Sequence, residues 1–209
     1  MATPTNTHNS IAKKHGAVIE CRGQAIIDGS TLRTRQGLTD YACAASGVTR
    51  EESLAMDKVN LYERLGRETI EAISTAFYNR VFDDEEWFRS IFTASTKAEA
   101  IRNQSDFLVE RLGGPKVYTQ RKGRFRLISR HSPYDLNPRS ARRWLEHMKA
   151  ALDSLSGLDE DSKDLLTAFF SHTAFFLVAG KHMMNPGNLV DYHNKMAESS
   201  GTESPGKDS

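Results

Sequence analysis

Two polar side chains in the middle of the chain interrupt or border apolar helical faces and are the first candidates for binding chemistry. Gln104 interrupts the inner stripe of one predicted helix, and Tyr78 borders the apolar face of an earlier one. A buried amide or phenol that stays unpaired costs about 1–3 kcal/mol, so each of them needs a partner. A backbone carbonyl can be that partner, and the Tyr78 hydroxyl can also point to solvent. Together with the indole N–H of Trp144, they could instead offer three donors to one small ligand.

His131 is the histidine best placed to join them. It follows a basic stretch and precedes Pro133, on a short segment that can face the stripe holding Gln104. A lone histidine is most often a surface residue or a core residue with a satisfied ring, and ligation of a metal is the alternative. His147 and His172 lie on predicted helices and give no stronger signal, and the chain has no His-Glu-x-x-His zinc motif.

A short basic run lies immediately before His131. Its cations are Arg121, Lys122, Arg124, Arg126 and Arg130. The whole chain carries a formal net charge of only +1, and Phe125 is the sole aromatic residue within the run. These features favour a solvated face over a nucleic-acid patch. A contact between one or two of the cations and a ligand carboxylate is the remaining alternative.

Length and composition predict one domain with tails. The chain has 209 residues, and its two cysteines, Cys21 and Cys43, both lie in the first quarter. The rest of the chain therefore has neither a disulfide framework nor a cysteine-based zinc or iron–sulfur site. No run of about 18 apolar residues is present, so no membrane span is predicted.

The two ends of the chain are predicted to lie outside the domain. Residues 1–50 are predicted to be a disordered extension, and their basic, Ser/Thr-containing composition makes an organelle transit peptide the alternative. The first reading implies a cytoplasmic protein, and the second a plastid or a mitochondrion. Residues 183–209 are predicted to be a disordered tail rich in Ser, Gly, Pro and Lys. The domain itself is expected over residues 53–182.

Helix signals fill this central region. Ile70, Ile73, Phe77 and Val81 recur at helical spacing, after a shorter helix that ends near Gly66. A capping box at Thr96 and a cap followed by proline at Asn137-Pro138 predict two further helix starts. No strand with period two is evident between residues 53 and 181, so the fold is predicted to be all-α. In chain order the four main helices are predicted over residues 67–82, 97–112, 138–156 and 160–180.

With these elements in place, the sequence resembles the group II truncated haemoglobins in their plant-type form. The match spans roughly residues 57–181, and its segments follow the family's order and spacing. Any one segment would be weak, whereas five in register over more than a hundred residues are specific. The segments are Phe77-Tyr78, Gly113-Gly114-Pro115 with Tyr118, residues 129–134 (SRHSPY), residues 143–148 (RWLEHM) and residues 172–180 (HTAFFLVAG).

The resemblance implies a truncated globin fold, a two-over-two helical sandwich that holds haem b. It implies that His131 is the proximal iron ligand and that Phe92 is the aromatic residue at the corner after the second helix. The sequence departs from the family at Gly123-Arg124-Phe125, where relatives often have Gly-His-Pro, so the family's local loop contacts and propionate pairing are not carried over to these residues. The resemblance further places Tyr78, Ala100, Gln104 and Trp144 on the distal side, and Tyr118 and Arg130 near the haem edge and propionates.

Two classes of function follow from the resemblance. In the first, the protein reversibly binds O2, and other diatomic ligands such as NO and CO, for oxygen transport, storage or sensing. In the second, the same haem serves a redox enzyme, a nitric oxide dioxygenase or a peroxidase. The chain has no flavin or nicotinamide motif, so an enzyme would require a partner reductase. The family often forms homodimers, so the resemblance also implies a homodimer.

Overall fold

The computed structural model describes residues 31–184 together with two short strands, β1 (Ile19–Cys21) and β2 (Gln24–Ile26). The strands pair antiparallel, with Ile19 opposite Ile26. The rest of the described chain is helical, with 3-10 turns at Thr31–Arg33, Ala55–Lys58 and Ser90–Phe92. The helices are α1 (Arg35–Ser46), α2 (Arg50–Ser53), α3 (Leu61–Phe82), α4 (Glu86–Arg89), α5 (Lys97–Arg111), α6 (Val117–Lys122), α7 (Leu127–His131), α8 (Pro138–Asp153) and α9 (Glu160–Met184).

Short polar residues fix the starts of the long helices, as the sequence predicts. The Thr96 hydroxyl accepts from the Glu99 N–H at the start of α5, and the Glu99 carboxylate accepts from the Thr96 N–H. Asn137 and Ser140 form the same reciprocal pair at α8, where Pro138 is the first helical residue. Each cap satisfies backbone donors that a helix leaves unpaired at its start, which contributes about 1 kcal/mol.

The main core lies between two pairs of long helices. Helix α3 packs against α5 and against α8, and α8 packs against α9. The predicted apolar face of α3 is confirmed, because Ile70, Ile73, Phe77 and Val81 are all fully buried. The helix break predicted near Gly66 is also present, since this glycine has φ 72° and ψ 168° within α3. Such a positive φ favours glycine over residues that carry a Cβ.

A second core joins α1 to the outer face of α9. Leu38, Tyr41 and Ala42 recur at helical spacing and are buried against Phe175 and Val178. Residues 35–46 were predicted to belong to a disordered extension, and the structure contradicts that prediction for this stretch. The apolar content of the segment is low, but it is concentrated on one helical face that α9 completes. Residues 1–18 lie outside the described part of the chain.

Helix α9 continues past Gly180 to Met184, so the predicted stop at Gly180 is wrong. Gly180 serves packing instead. A Cβ built on it would lie 2.6 Å from Cγ1 of Ile128 in α7, closer than side-chain contacts allow. The tail was predicted over 183–209: residues 183 and 184 belong to α9, which contradicts the prediction for them, and residues 185–209 lie outside the described part of the chain. Among the described helices, none is both long and apolar enough to cross a bilayer.

Candidate functional site

A cavity of about 700 Å³ lies between α3, α5, α7, α8 and α9. Its walls are mainly apolar, with contributions from Phe88, Leu108, Phe170 and Val178. A concave, apolar cavity of this volume, with a few polar groups converging on it, suits a cofactor-sized molecule. The structure brings all eight residues predicted for the site to this cavity: Tyr78, Phe92, Ala100, Gln104, Tyr118, Arg130, His131 and Trp144.

His131 is held in one orientation on this wall. It ends the short helix α7, and its Nδ1 lies 2.7 Å from the backbone oxygen of Leu127. A carbonyl oxygen only accepts, so Nδ1 carries the proton and Nε2 keeps its lone pair. Burial, with the nearby charge of Arg130, lowers the pKa of His131, which favours the neutral ring. An oriented neutral imidazole with a free Nε2 is the usual arrangement of a histidine that binds a metal.

Hydrogen bonds from two cationic side chains to backbone oxygens hold α7 in place. The Arg130 guanidinium donates through Nε to the oxygen of Phe125 (3.0 Å) and also bonds the oxygens of Lys122 and Arg124. Lys181 of α9 is almost fully buried and bonds the oxygen of Tyr134, just after α7. Arg130 lines the cavity, as expected, but the structure gives its guanidinium three backbone partners in the preceding loop. The sequence did not predict this tethering, because the carbonyls of an irregular loop leave no residue pattern.

Tyr78 and Trp144 present donors that have no partner among the described residues. Neither the Tyr78 hydroxyl nor the Trp144 indole N–H makes a hydrogen bond to any of them. Burial raises the pKa of Tyr78 well above its ordinary value, so its hydroxyl stays protonated and can donate. The Trp144 ring lies 4.8 Å from Phe77 and 5.5 Å from Phe170, between centroids, and these contacts fix its position.

Gln104 adds a third polar group, on α5. Its Oε1 is buried and has no hydrogen-bond partner among the described residues. Ala100, one turn earlier on the same helix, is 6 % exposed and leaves open space beside the amide because its side chain is small. An unpaired buried amide oxygen costs about 1–3 kcal/mol, so its retention at a cavity wall points to a polar ligand or an ordered water.

Aromatic packing shapes the two ends of the cavity. Phe92 lies edge-on to Tyr78, with centroids 6.2 Å apart, and restricts the phenol ring. Tyr118 is buried against Phe107 and Phe125, and the Arg130 guanidinium lies 5.6 Å from its ring centroid. These contacts fix ring positions around the cavity before any ligand is present.

A buried ion cluster behind the cavity was missed by the sequence analysis. Asp84 accepts two hydrogen bonds from Arg143, at 2.8 and 2.6 Å, and lies 2.6 Å from His147 Nε2. The Arg143 guanidinium is the main cause that holds the pKa of Asp84 far below its usual value. The His147 ring centroid lies 5.5 Å from that of Phe88, a cavity wall residue. The four-residue spacing of Arg143 and His147 on α8 was the available signal, but their partner lies about sixty residues away.

The described residues fit the haem that the resemblance implies. The cavity has apolar walls for a flat macrocycle, one neutral imidazole with a free nitrogen, and an orphaned amide oxygen. Imidazole nitrogen is a common axial ligand of haem iron. Among the described residues no group of three or more His, Cys, Asp or Glu side chains could hold a bare metal ion. A single imidazole nitrogen therefore suits an iron whose other ligands belong to a bound macrocycle.

Comparison with known proteins gives the same result. The model of the bacterial-like globin family matches residues 60–176. The chain is 52% identical over 151 residues to Two-on-two hemoglobin-3 of Arabidopsis thaliana, covering 72% of this chain and 86% of the relative. It is 49% identical over 151 residues to Group 2 truncated hemoglobin 3-1 of Lotus japonicus, covering 72% and 90%.

A solved structure is also similar. The truncated oxygen-avid haemoglobin from Bacillus subtilis superposes with a TM-score of 0.53 at 32% identity, covering 57% of this chain and 99% of that protein. The all-α truncated globin fold predicted from the sequence is thus confirmed. The chain belongs to the bacterial-like globins, whose haemoglobins carry haem and bind gases with it, and within them to the group 2 truncated haemoglobins.

Proposed function

We propose that this protein binds O2 reversibly at a haem b iron held by His131, for oxygen transport, storage or sensing, with NO and CO as further ligands. One observation carries the proposal. An oriented neutral imidazole and three polar groups with unused hydrogen-bonding atoms line the same apolar cavity. An apolar cavity that only had to hold a macrocycle would not need three such groups.

His131 acts on the proximal side. Haem b would supply an iron that His131 could bind through Nε2 and that could bind a diatomic gas. The bond from His131 Nδ1 to Leu127 aims Nε2 and increases the electron density on the ring. The burial that lowers the pKa of His131 keeps Nε2 free of a proton at neutral pH. Arg130 and Lys181 hold the α7 segment, so the ring position does not depend on the cofactor alone.

Tyr78, Trp144 and Gln104 act on the distal side. The Tyr78 hydroxyl and the Trp144 N–H could each donate a hydrogen bond to a gas ligand that carries partial negative charge, as O2 would. The Gln104 amide has two donors of its own beside its unpaired Oε1. Each bond contributes on the order of 1 kcal/mol, and the low dielectric of the cavity strengthens it. Since 1.4 kcal/mol corresponds to tenfold, two such bonds slow O2 release by about tenfold or more.

Stopped-flow measurement of O2 dissociation from the haem-loaded protein tests this assignment. Tyr78→Phe and Trp144→Phe each remove a donor and little volume, so each is expected to raise the dissociation rate about fivefold. Tyr62→Phe is the matched control, since Tyr62 lies beside Gly114 and away from the cavity. Equal rates in wild type and in both distal variants would refute the distal assignment. Multiple-turnover NO consumption with an external reductase would instead favour the redox enzyme.

A further inference from the structure

The end of α6 and the segment between α6 and α7 carry a concentration of positive charge. We define the basic loop as residues 122–126, in which Lys122 (the last residue of α6), Arg124 and Arg126 are all exposed. None of the three side chains forms a close ion pair with any residue in the described part of the chain. Hydrogen bonds from Thr96 and, more weakly, the charge of Lys122 lower the pKa of the Glu99 carboxyl, so the charges left without an acidic neighbour are those of Arg124 and Arg126. Elsewhere many exposed cations have an acidic partner, as Lys58 has Glu51 and Lys149 has Asp153. The basic loop is thus a local excess on a chain whose net charge is +1.

The basic loop is held rigidly. Arg130 bonds the backbone oxygens of Lys122, Arg124 and Phe125. The Phe125 ring is packed against Phe107, with centroids 5.1 Å apart. Arg126 has φ 41°, the only positive φ of a non-glycine residue in the described chain. A residue with a Cβ is strained in this conformation, and glycine would adopt it without strain. The fold therefore tolerates backbone strain at Arg126, whose cationic side chain is exposed.

The basic loop lies at the open edge of the cavity. Lys122 and the exposed Arg102 both line the cavity, and Arg130, which fastens the loop, lines it as well. Glu99 is the one exposed carboxylate among the lining residues; its Oε2 accepts from the Thr96 cap, and its charge offsets part of that of Lys122. An approaching anionic surface would still meet mainly positive charge at this edge of the cavity.

We propose that the basic loop is the docking surface for a small acidic one-electron carrier protein. The proposal rests on the proposed haem function, because reversible O2 binding requires ferrous iron and the chain has no reductant motif of its own. One electron leaves the reduced carrier and converts ferric haem iron to ferrous, with no bond made or broken. Docking of this kind uses small interfaces in which charge complementarity raises the association rate 10- to 1,000-fold. The loop offers nucleic acid little stacking surface, because Phe125 is packed inward against Phe107 and Tyr118.

Binding is tested with the haem-loaded protein and an acidic [2Fe–2S] ferredoxin as probe. Arg124→Glu/Arg126→Glu is expected to weaken ferredoxin binding, followed by calorimetry at low ionic strength, about tenfold or more. Lys58→Glu/Lys149→Glu is the matched control, since it makes the same change in net charge at two side chains that are about 70% exposed. Arg124→Gln/Arg126→Gly relieves the strain at residue 126 and is expected to bind weakly while remaining folded.

The rate of reduction by ferredoxin gives a second readout. It is expected to fall steeply with ionic strength for the wild type and the control, and little for the loop variants. Reduction by dithionite and the CO spectrum should be the same in all of them, so a failure of the haem function itself is seen separately. Equal ferredoxin binding by the loop and control variants would overturn the proposal. So would a loss that is larger for duplex DNA or anionic vesicles than for ferredoxin.

Discussion

Replacing Asp84 with Asn tests how the end of α3 is fastened to α8. The Asp84 side chain is 3% exposed, and its carboxylate receives two bonds from Arg143 and faces His147. The amide that replaces it has one acceptor oxygen and no charge, so Arg143 loses its main buried partner. Arg143 keeps its exposed contact with Glu146, which compensates only in part.

The structure sets both the size and the pH dependence of the effect. Asp84 is buried but the Arg143 side chain is about a third exposed, so removing the carboxylate charge is expected to cost about 1–3 kcal/mol, less than for a fully buried pair. Because the pKa of Asp84 lies far below its unfolded value of about 3.9, its contribution is complete well above pH 4. The contribution falls as the pH drops below about 4, since the unfolded chain then takes up the proton more readily than the folded one. The difference between wild type and Asp84→Asn should therefore shrink in acid.

Guanidinium unfolding of the haem-loaded proteins at pH 7, 5 and 3.5 measures this difference at equal haem occupancy. Asp153→Asn is the control, because Asp153 is half exposed and pairs only with Lys149, so its loss should cost under about 1 kcal/mol. A difference of less than about 1 kcal/mol for Asp84→Asn at pH 7 would show that the cluster does not stabilise the fold. A difference that grows toward pH 3.5 would contradict the sign derived above.

Two further predictions concern the parts of the fold that support the cavity. Leu38→Ala in α1 should lower the free energy of unfolding by about 2–4 kcal/mol and speed transfer of haem to an acceptor protein, because α1 packs on the α9 residue Val178 that lines the cavity. The control Gln36→Ala, at an exposed position of α1, should change neither property. Haem transfer from Leu38→Ala as slow as from wild type would show that α1 does not support the cavity. Gly180→Ala should cost about 1–3 kcal/mol and alter the visible spectrum of the haem-loaded protein, since the new Cβ would press on Ile128 in the helix that carries His131. Ile128→Val should partly restore both properties, and an unchanged spectrum in Gly180→Ala would show that α7 absorbs the contact elsewhere.

The sequence predicts the local elements well because local signals determine them. The capping residues Thr96 and Asn137 start α5 and α8 where expected, and the apolar spacing of residues 70–81 gives the buried face of α3. Gln104 and Tyr78 were visible as departures from an apolar pattern, and Trp144 as an indole donor on the buried face of its helix. That all three line one cavity with His131 follows from tertiary packing, and the sequence could suggest it only through the resemblance.

What the sequence could not predict depends on contacts between distant segments. Helix α1 is amphipathic but has few apolar residues, so its order depends on the face of α9 that covers it. Gly180 looks like a helix stop, yet α9 continues through it to Met184. A glycine stands there because Ile128 occupies the space that a Cβ would take. The Asp84 cluster joins residues that are about sixty positions apart, and no pattern within either segment identifies the partner.

The most direct test of the central claim is the ferrous spectrum of His131→Gly, with and without added imidazole. If His131 is the proximal ligand, the variant should lose haem or its five-coordinate histidine spectrum, and free imidazole should restore that spectrum by occupying the space left by the ring. His172→Gly, in which a partly buried histidine outside the cavity is removed, should behave as wild type. A His131→Gly protein that keeps both its haem and the wild-type ferrous spectrum without imidazole would contradict the account.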